Sequence, residues 1–357
     1  MKITLLAHTT PYSGVTGISM GISKYIYNLS VELRKKRYDA ELFIRDDYKP
    51  KENWINTVYS PKYSWIPYLF FLGRKIRNLK SDIYHADYVT TGAVLMNKNK
   101  RPAIVSIHDV IPFTYNKEEL SKMNRVRLKW YMSNFKKIEK ADAITVLSEY
   151  SKKEAIKYTN IPEEKIYVTY PGVDFNMYFL LKKKPHKNIR IGYLGGLDGR
   201  KNVTLLVEAF NDIVRSRSEI ELHIGGTGEN LQTFKNMRIK NAFFHGFVPD
   251  SQVTKFYNLL DIFVFPTLSE GFGLPPLEAM ACGVPVVACN TSSIPEVVGD
   301  AGILVEPSKE KMVETLNNLI ENKNLRERLS KKGIKRSKKF TWKKCAENTL
   351  KVYKDVI

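Results

Sequence analysis

Two glutamates frame a nine-residue segment, EGFGLPPLE from Glu270 to Glu278, that follows the apolar run DIFVFP. One carboxylate falls in the loop. The other is expected in the first turn of a helix opening at Pro275-Pro276, where proline fits because its missing N–H has no intrahelical partner. Both can accept hydrogen bonds from sugar or ribose hydroxyls. The N–H groups of Gly271, Phe272, Gly273 and Leu274, in the turn and helix end, make a site for anionic or hydroxyl-rich ligands. Taken singly, Glu278 would only complement the helix dipole and the glycines would only shape a turn. The whole pattern after a strand, followed by MACGVPVVA, argues for a ligand site.

Four further segments carry chemistry. In YLGGLDGRKN, Tyr193 to Asn202, a strand ends at Gly195 and Gly196 and a helix begins with Arg200 and Lys201. Fixed cations there stabilise charge on a departing diphosphate. In PYSGVTGIS, Gly14 and Gly17 bracket a loop after the first strand, and glycine lets backbone approach a phosphate. In LHIGGTGE, Gly225, Gly226 and Gly228 form part of a dinucleotide fingerprint without the full GxGxxG spacing. In SIHDVIPF, His108 and Asp109 follow the strand AIVSIH. A lone histidine is more often structural, but a position at a strand carboxyl end raises the case for a site residue.

These segments need parallel sheets to position them. KITLLAH, AELFI, DIYHA, AIVSIH, AITVL and KIYVTY alternate with helical-period stretches, among them a basic one near Lys122 to Lys140. PGVDFNMYFLLKKKPHKN has no period and reads as a linker. The alternation restarts with IRIGYLG, a helix over about 202–216, IELHIGG, NAFFHG, a helix near 252–258, DIFVFP and PVVAC; from Lys309 the chain reads as helical, interrupted at Phe340-Thr341. Thr341 is the expected N-cap of the last helix. The predicted fold is α/β: a Rossmann-like domain over 1–170, a linker over 171–188, a second Rossmann-like domain over 189–338, and a helix over 339–357 returning to the first. Two such halves bind ligands in the crevice at the carboxyl ends of their strands.

The 357 residues suffice for two cores of ordinary size. Three cysteines, Cys282, Cys289 and Cys345, form no CxxC pair and no even set, which indicates a reducing compartment and no disulfide or zinc framework. The start MKITLLAH is too short and polar for a signal peptide, and no apolar run reaches membrane-spanning length. A cytoplasmic protein is expected. The net charge of +20 is uneven: residues 1–184 hold 32 Lys and Arg against 18 Asp and Glu, leaving 25 against 19 for the rest. Such a field attracts phosphates and anionic lipid, or serves solubility alone. Trp65 to Lys80, WIPYLFFLGRKIRNLK, mixes aromatic residues with four cations and reads either as a helix on an anionic membrane surface or as a buried crossover helix with a basic face.

On these motifs the chain resembles family 4 of the retaining glycosyltransferases, which carry two glutamates separated by seven residues and have the two-domain GT-B fold. The resemblance spans nearly the whole chain and is strongest in the second domain. It implies transfer of a hexosyl residue from a nucleoside-diphosphate sugar, UDP- or GDP-linked, to a glycan or lipid-linked acceptor, with retention and without a metal or other cofactor. It further implies that Glu278 holds the donor ribose, Glu270 lies against the transferred sugar, and backbone of Phe272, Gly273 and Leu274 holds sugar hydroxyls. Arg200 and Lys201 match the diphosphate-binding pair, although Gly196 stands where many relatives carry an additional arginine. By the resemblance Gly17 lies near the diphosphate, His108 near the donor sugar as a transition-state contact and not a nucleophile, the Gly225-Gly226 turn beside the nucleotide, and the backbone around Phe247-Val248 at the base.

Two other classes compete. A nicotinamide-dependent oxidoreductase requires a fingerprint after the first strand and an acidic residue about 20 positions on; the spacing Gly14, Gly17, Gly21 does not supply it. A nucleic-acid-binding module has only the charge in its favour, with no helix-turn-helix, zinc or aromatic ribonucleoprotein signature.

Overall fold

A computed structural model describes residues 1–8, 21–45, 50, 52–59, 65–114, 122–182 and 186–357. Gly14 and Gly17 lie outside the described residues. The chain divides into two compact units, Met1–Pro171 with Trp342–Ile357, and Gly172–Thr341.

The first unit runs β1 (Lys2–Leu6), α1 (Gly21–Lys35), β2 (Asp39–Arg45), β3 (Ile55–Val58), α2 (Trp65–Lys75), β4 (Ile83–Ala86), α3 (Val89–Asn97), β5 (Ala103–Ile107), α4 (Lys122–Ile138), β6 (Ala143–Val146), α5 (Glu149–Tyr158) and β7 (Ile166–Val168). Among the described residues its strands form one parallel sheet of seven, ordered β3-β2-β1-β4-β5-β6-β7. Every residue of β4, β5 and β6 is buried. Such continuous burial is what helices on both faces of a parallel sheet impose, so these strands read as unbroken apolar runs rather than alternating ones. Strand order reverses between β1 and β4.

The second unit runs β8 (Ile189–Leu194), α6 (Val203–Ile213), β9 (Ile220–Gly225), α7 (Leu231–Asn236), β10 (Ala242–Gly246), α8 (Asp250–Leu259), β11 (Ile262–Phe265), α9 (Leu274–Ala281), β12 (Val286–Cys289), α10 (Ile294–Val298), β13 (Ile303–Val305), α11 (Lys309–Glu321) and α12 (Lys323–Ser337). Its described strands are also parallel, ordered β10-β9-β8-β11-β12-β13, with the reversal between β8 and β11. Helix α6 shows how the pattern folds: Val203, Leu206, Val207, Phe210 and Ile213 recur at helical spacing and are buried on one stripe.

The last helix, α13 (Trp342–Asp355), belongs to the first unit. Its buried stripe carries Cys345, Ala346, Thr349, Leu350 and Tyr353. Tyr353 Oη lies 2.7 Å from Nδ1 of His85, whose Nε2 is 2.8 Å from Ser106 Oγ. Outside that core, Lys36 and Glu347 pair at 2.9 Å.

Several sequence expectations need correction. Residues 172–182 are not a free linker but part of the second unit. The buried Asn258 carboxamide accepts from Leu181 N and donates to Phe179 O, Thr254 Oγ1 donates to Met177 O, and Tyr178 is buried against Tyr257. Satisfying this backbone lets Tyr178 be buried, while Phe179 and Leu180 stay exposed. Strands β3 and β13 lie outside the strands expected from the sequence, and the C-terminal helical run also breaks at Asn322, whose side chain caps α12 at Leu325 N.

Candidate functional site

Ligands of doubly wound sheets bind outside the strand carboxyl ends where the strand order reverses. In the second unit that point lies between the loop after β8 and the loop after β11. The first loop holds Arg200 and Lys201 in a single 3-10 turn that ends at Asn202 in the left-handed region. The second holds Glu270.

Backbone and side chains bind these loops together. Leu268 N donates to Arg200 O at 3.0 Å, and Arg200 Nη1 donates to Ser269 O at 2.6 Å. Lys201 Nζ donates to Glu270 Oε1 at 2.5 Å, Thr267 Oγ1 donates to the same oxygen at 3.0 Å, and Arg200 Nη1 is 3.6 Å from it. A third loop, after β12, completes the lattice. Glu270 N donates to Ser292 Oγ, and the buried Ser293 Oγ–H sits between the carbonyls of Glu270 and Phe272, at 2.9 and 2.8 Å. Lys201 therefore sits in a fixed position with an ammonium that carries three donors, one of them engaged by Glu270.

Glu278 lies elsewhere in this frame. Helix α9 opens at Leu274, so Glu278 is its fifth residue, one residue deeper than the Pro275-Pro276 start suggests. The difference arises because Gly273 forms the N-cap at φ 109°, a conformation that favours glycine, and a Cβ there would come within 2.8 Å of Ile294 Cδ1. Glu278 is buried, and Tyr257 donates its hydroxyl to Oε2 at 2.9 Å; Tyr178 is hydrogen-bonded to the same carboxylate. Burial first, and then the Glu278 charge, push both phenols upward, so they remain neutral donors. The two glutamates thus have separate partners: cations for Glu270, tyrosines for Glu278.

The glycine turns after β8 and β9 press on one another. Gly195 N donates to Gly225 O at 3.0 Å, Leu197 N to Thr227 O at 3.0 Å and Gly226 N to Gly246 O at 2.6 Å. Gly226 has φ 137°, and a Cβ there would lie 1.8 Å from Gly195 O. Gly196 O accepts from Tyr193 Oη at 2.7 Å, and Val248 Cγ2 would be 2.9 Å from a Cβ on Gly225. These glycines permit three strand ends to meet.

In the first unit the reversal lies between β1 and β4, and three titratable side chains follow the ends of β1, β4 and β5: His8, Asp87 and His108. His8 N donates to Asp87 Oδ1 at 2.8 Å, Thr91 Oγ1 is 3.2 Å from that oxygen, and Thr90 Oγ1 is 2.9 Å from His8 Nδ1. The His108 ring bonds to the Asp87 backbone carbonyl and stands edge-on to Tyr25 at 5.3 Å. Burial lowers His108 and His8 to about 4, reinforced for His108 by His8 and for His8 by Arg45, while burial pushes Asp87 well above the carboxylate range. Asp109, next to His108, turns the chain by accepting from Ile111 N at 3.2 Å.

Sequence reasoning located Arg200, Lys201, Glu270 and His108 at strand ends. It missed Ser292 and Ser293, which follow the PVVAC strand; Tyr178, inside the supposed linker; and Asp87, whose signal was its position directly after the strand DIYHA.

Residues 181–336 match the model "Glycosyl transferases group 1" and residues 20–176 the model "Glycosyltransferase Family 4". The O-antigen chain mannosyltransferase B of Escherichia coli is 29% identical over 301 residues, 78% of this chain and 76% of that protein. Sucrose-phosphate synthase from Thermosynechococcus elongatus superposes with a TM-score of 0.82 at 18% identity, covering 99% of this chain and 98% of that one. Anabaena HepE, solved with UDP and glucose, superposes at 0.76 and 18% identity, with 98% of each chain covered. At these identities the two superpositions speak for the fold.

Proposed function

From the premise that the chain belongs to the family 4 glycosyltransferases and has their GT-B fold, we propose that it moves a hexosyl residue from a UDP- or GDP-linked sugar to an acceptor hydroxyl with retention of configuration. The observation that carries this reading is the fixed Arg200–Lys201–Glu270 cluster at the strand reversal of the second sheet. A nucleoside diphosphate leaving the sugar gathers negative charge on its terminal phosphate. Arg200 and Lys201, already oriented by Ser269 O and Glu270, stabilise that charge without reorganising, which is where preorganised cations lower a barrier most.

In this reading Glu270 serves twice, holding Lys201 and facing the transferred sugar. Glu278, fixed by Tyr178 and Tyr257, accepts from the donor ribose, and the N–H groups of Phe272, Gly273 and Leu274 at the start of α9 hold sugar hydroxyls. The acceptor attacks the face that the diphosphate leaves, and a phosphate oxygen takes its proton. Neither glutamate acts as a nucleophile and charge stabilisation rests on side chains rather than a metal. The mannosyltransferase relative of O-antigen synthesis makes mannose the first hexose to test and a surface glycan the first acceptor class.

A donor-hydrolysis screen across UDP-, GDP- and ADP-hexoses, with product anomers read by proton NMR, tests this. Turnover of one UDP- or GDP-hexose with the α-anomer retained is the expected result; no turnover, or inversion, contradicts it.

A peripheral membrane site is supported by helix α2. Phe70 is 61% exposed, with Arg74 stacked 5.9 Å over its ring and Lys75 beside it. Among the described residues no helix is long and apolar enough to cross a membrane. An exposed aromatic among cations suits an anionic interface. Pelleting with phosphatidylglycerol vesicles but not phosphatidylcholine vesicles is expected, and its loss in Phe70→Ala/Arg74→Ala; equal pelleting with both lipids contradicts it.

A further inference from the structure

Three consecutive hydroxyl residues, Thr291, Ser292 and Ser293, follow β12, and all three reach the loop after the neighbouring strand β11. Thr291 Oγ1 donates to Thr267 O at 2.8 Å, Ser292 Oγ accepts from Glu270 N at 2.9 Å, and the Ser293 hydroxyl serves both Glu270 O and Phe272 O. Two of these residues depart from what their own segment favours. Ser292 holds φ 49°, a left-handed backbone in which a residue other than glycine is strained. Ser293 occupies the N-cap of α10, where a serine ordinarily accepts from its own helix. It makes no such bond, and its fully buried hydroxyl goes to the other loop instead. Both departures cost local stability, and what they fix is the conformation of residues 267–273. Such departures cluster where a site needs its groups oriented in advance.

Peptide geometry turns these bonds into a direction. In a trans peptide the C=O and the following N–H point opposite ways, and the only cis bond among the described residues is Arg101-Pro102. Glu270 O and Phe272 O both face Ser293 Oγ, so the N–H groups of Gly271 and Gly273 are aimed to the other side. Ser292 engages the Glu270 N–H, and among the described residues the side-chain partners Lys201, Thr267 and Arg200 all approach Oε1 of that glutamate. Oε2 is the oxygen left for a hydroxyl. We propose that Thr291, Ser292 and Ser293 are positioning residues of the donor site, which act through the 267–273 loop to present Glu270 Oε2 and the Gly273 N–H to the transferred hexose. The assignment rests on the glycosyltransferase reading and deepens it with residues outside the sequence motifs. Every group it invokes lies in the second unit.

The test uses the full chain and two readouts: amide hydrogen exchange by mass spectrometry, and hydrolysis of GDP-mannose and UDP-glucose with inhibition by free GDP and UDP. Ser293→Ala and Ser292→Gly are each expected to speed exchange over 268–274 and to lower kcat for the hydrolysed donor roughly 10- to 100-fold. Inhibition by the free nucleotide is expected to stay near wild type, because the loop is assigned to the sugar and not to the nucleotide. Ser292→Gly guards against a folding artefact, since glycine accepts φ 49° without strain. Ser292→Ala keeps that strain and also lacks the hydroxyl, so it is expected to match Ser292→Gly in kcat while unfolding more readily. Unchanged exchange over 268–274, or wild-type kcat in both Ser293→Ala and Ser292→Gly, would overturn the proposal. So would a kcat that follows the unfolding midpoint across the three variants, or an equal loss of nucleotide inhibition, either of which marks a purely structural role. A wild type that turns over neither donor contradicts the glycosyltransferase reading itself, and the exchange result, which needs no turnover, tells that failure from a failure of the positioning.

Discussion

The two strand reversals solve the same problem with opposite electrostatics. In the second unit the loops after β8, β11 and β12 carry charges that are already paired, Arg200 and Lys201 against Glu270, and the backbone of each loop is hydrogen-bonded to the next. In the first unit the groups are buried, which holds the histidines low and pushes Asp87 up, and Asp87 Oδ2 and His108 Nε2 lack partners. A polyanion needs cations fixed in advance, and the second reversal supplies them.

The largest expected effect breaks the second reversal mechanically. Gly226→Ala places a Cβ where Gly195 O now sits, 1.8 Å away at φ 137°, and is expected to destabilise the second unit by more than about 4 kcal/mol. Urea unfolding followed by circular dichroism checks this, and a wild-type transition would contradict the interlocked turns. Next comes Lys201→Ala, which leaves that backbone lattice intact but removes a fixed cation. Its expected loss is about 100- to 1000-fold in kcat, or ~3–4 kcal/mol, with the unfolding midpoint little changed. Tyr257→Phe removes one donor from buried Glu278 and is expected to cost about 1–3 kcal/mol of stability, accompanied by a raised KM for the donor.

Acid separates the two units. His8 and His108 are held at about 4 and His85 at about 3, chiefly by burial, against an ordinary value of 6.5. The unfolded chain therefore binds protons that the folded unit refuses between pH 6.5 and about 4, and stability falls as pH drops through that window. Each histidine contributes at most about 1.4 kcal/mol per pH unit. Asp87 acts in the reverse sense, because its raised folded value makes stability decline as pH rises above 3.8; one such group opposes three. In the second unit His223 and His245 are lowered too, chiefly by burial but less strongly, and Glu221 is held at about 2: burial opposes this, but bonds from Asn188, His223 and Arg190 outweigh it, so its stabilising effect is full above about 4.5 and is lost between there and about 2. All four tryptophans, Trp54, Trp65, Trp130 and Trp342, lie in the first unit. Tryptophan fluorescence is thus expected to shift at a higher pH than ellipticity is lost, and coincident transitions would contradict the division. The smallest effect belongs to the surface: Lys36→Ala, which breaks an exposed pair with Glu347, is expected to leave the unfolding midpoint almost unchanged.

The same contrast explains what the sequence made legible. The site of the second unit is assembled from contiguous loops, so EGFGLPPLE and YLGGLDGRKN display it as motifs, and Pro275-Pro276 gives the start of α9 to within a residue or two. The one-residue earlier start was not legible, because the N-cap is set by the φ of Gly273 rather than by the prolines. His8 and Asp87 stand 79 positions apart and meet only because β1 pairs with β4, a long-range fact without a local signature. Tyr178 was hidden by the charged and proline-bearing stretch around it, whose backbone a single buried amide, Asn258, ties to α8. The two parallel sheets themselves were plain from the alternation of strand-length apolar runs with helical-period segments.

The most direct measurement is the kcat and KM of the Lys201→Ala protein with whichever UDP- or GDP-hexose the wild type hydrolyses, set beside its unfolding midpoint. The account predicts a kcat two to three orders of magnitude lower (~3–4 kcal/mol) in a protein that unfolds like the wild type. Wild-type kcat in a fully folded Lys201→Ala protein would contradict it.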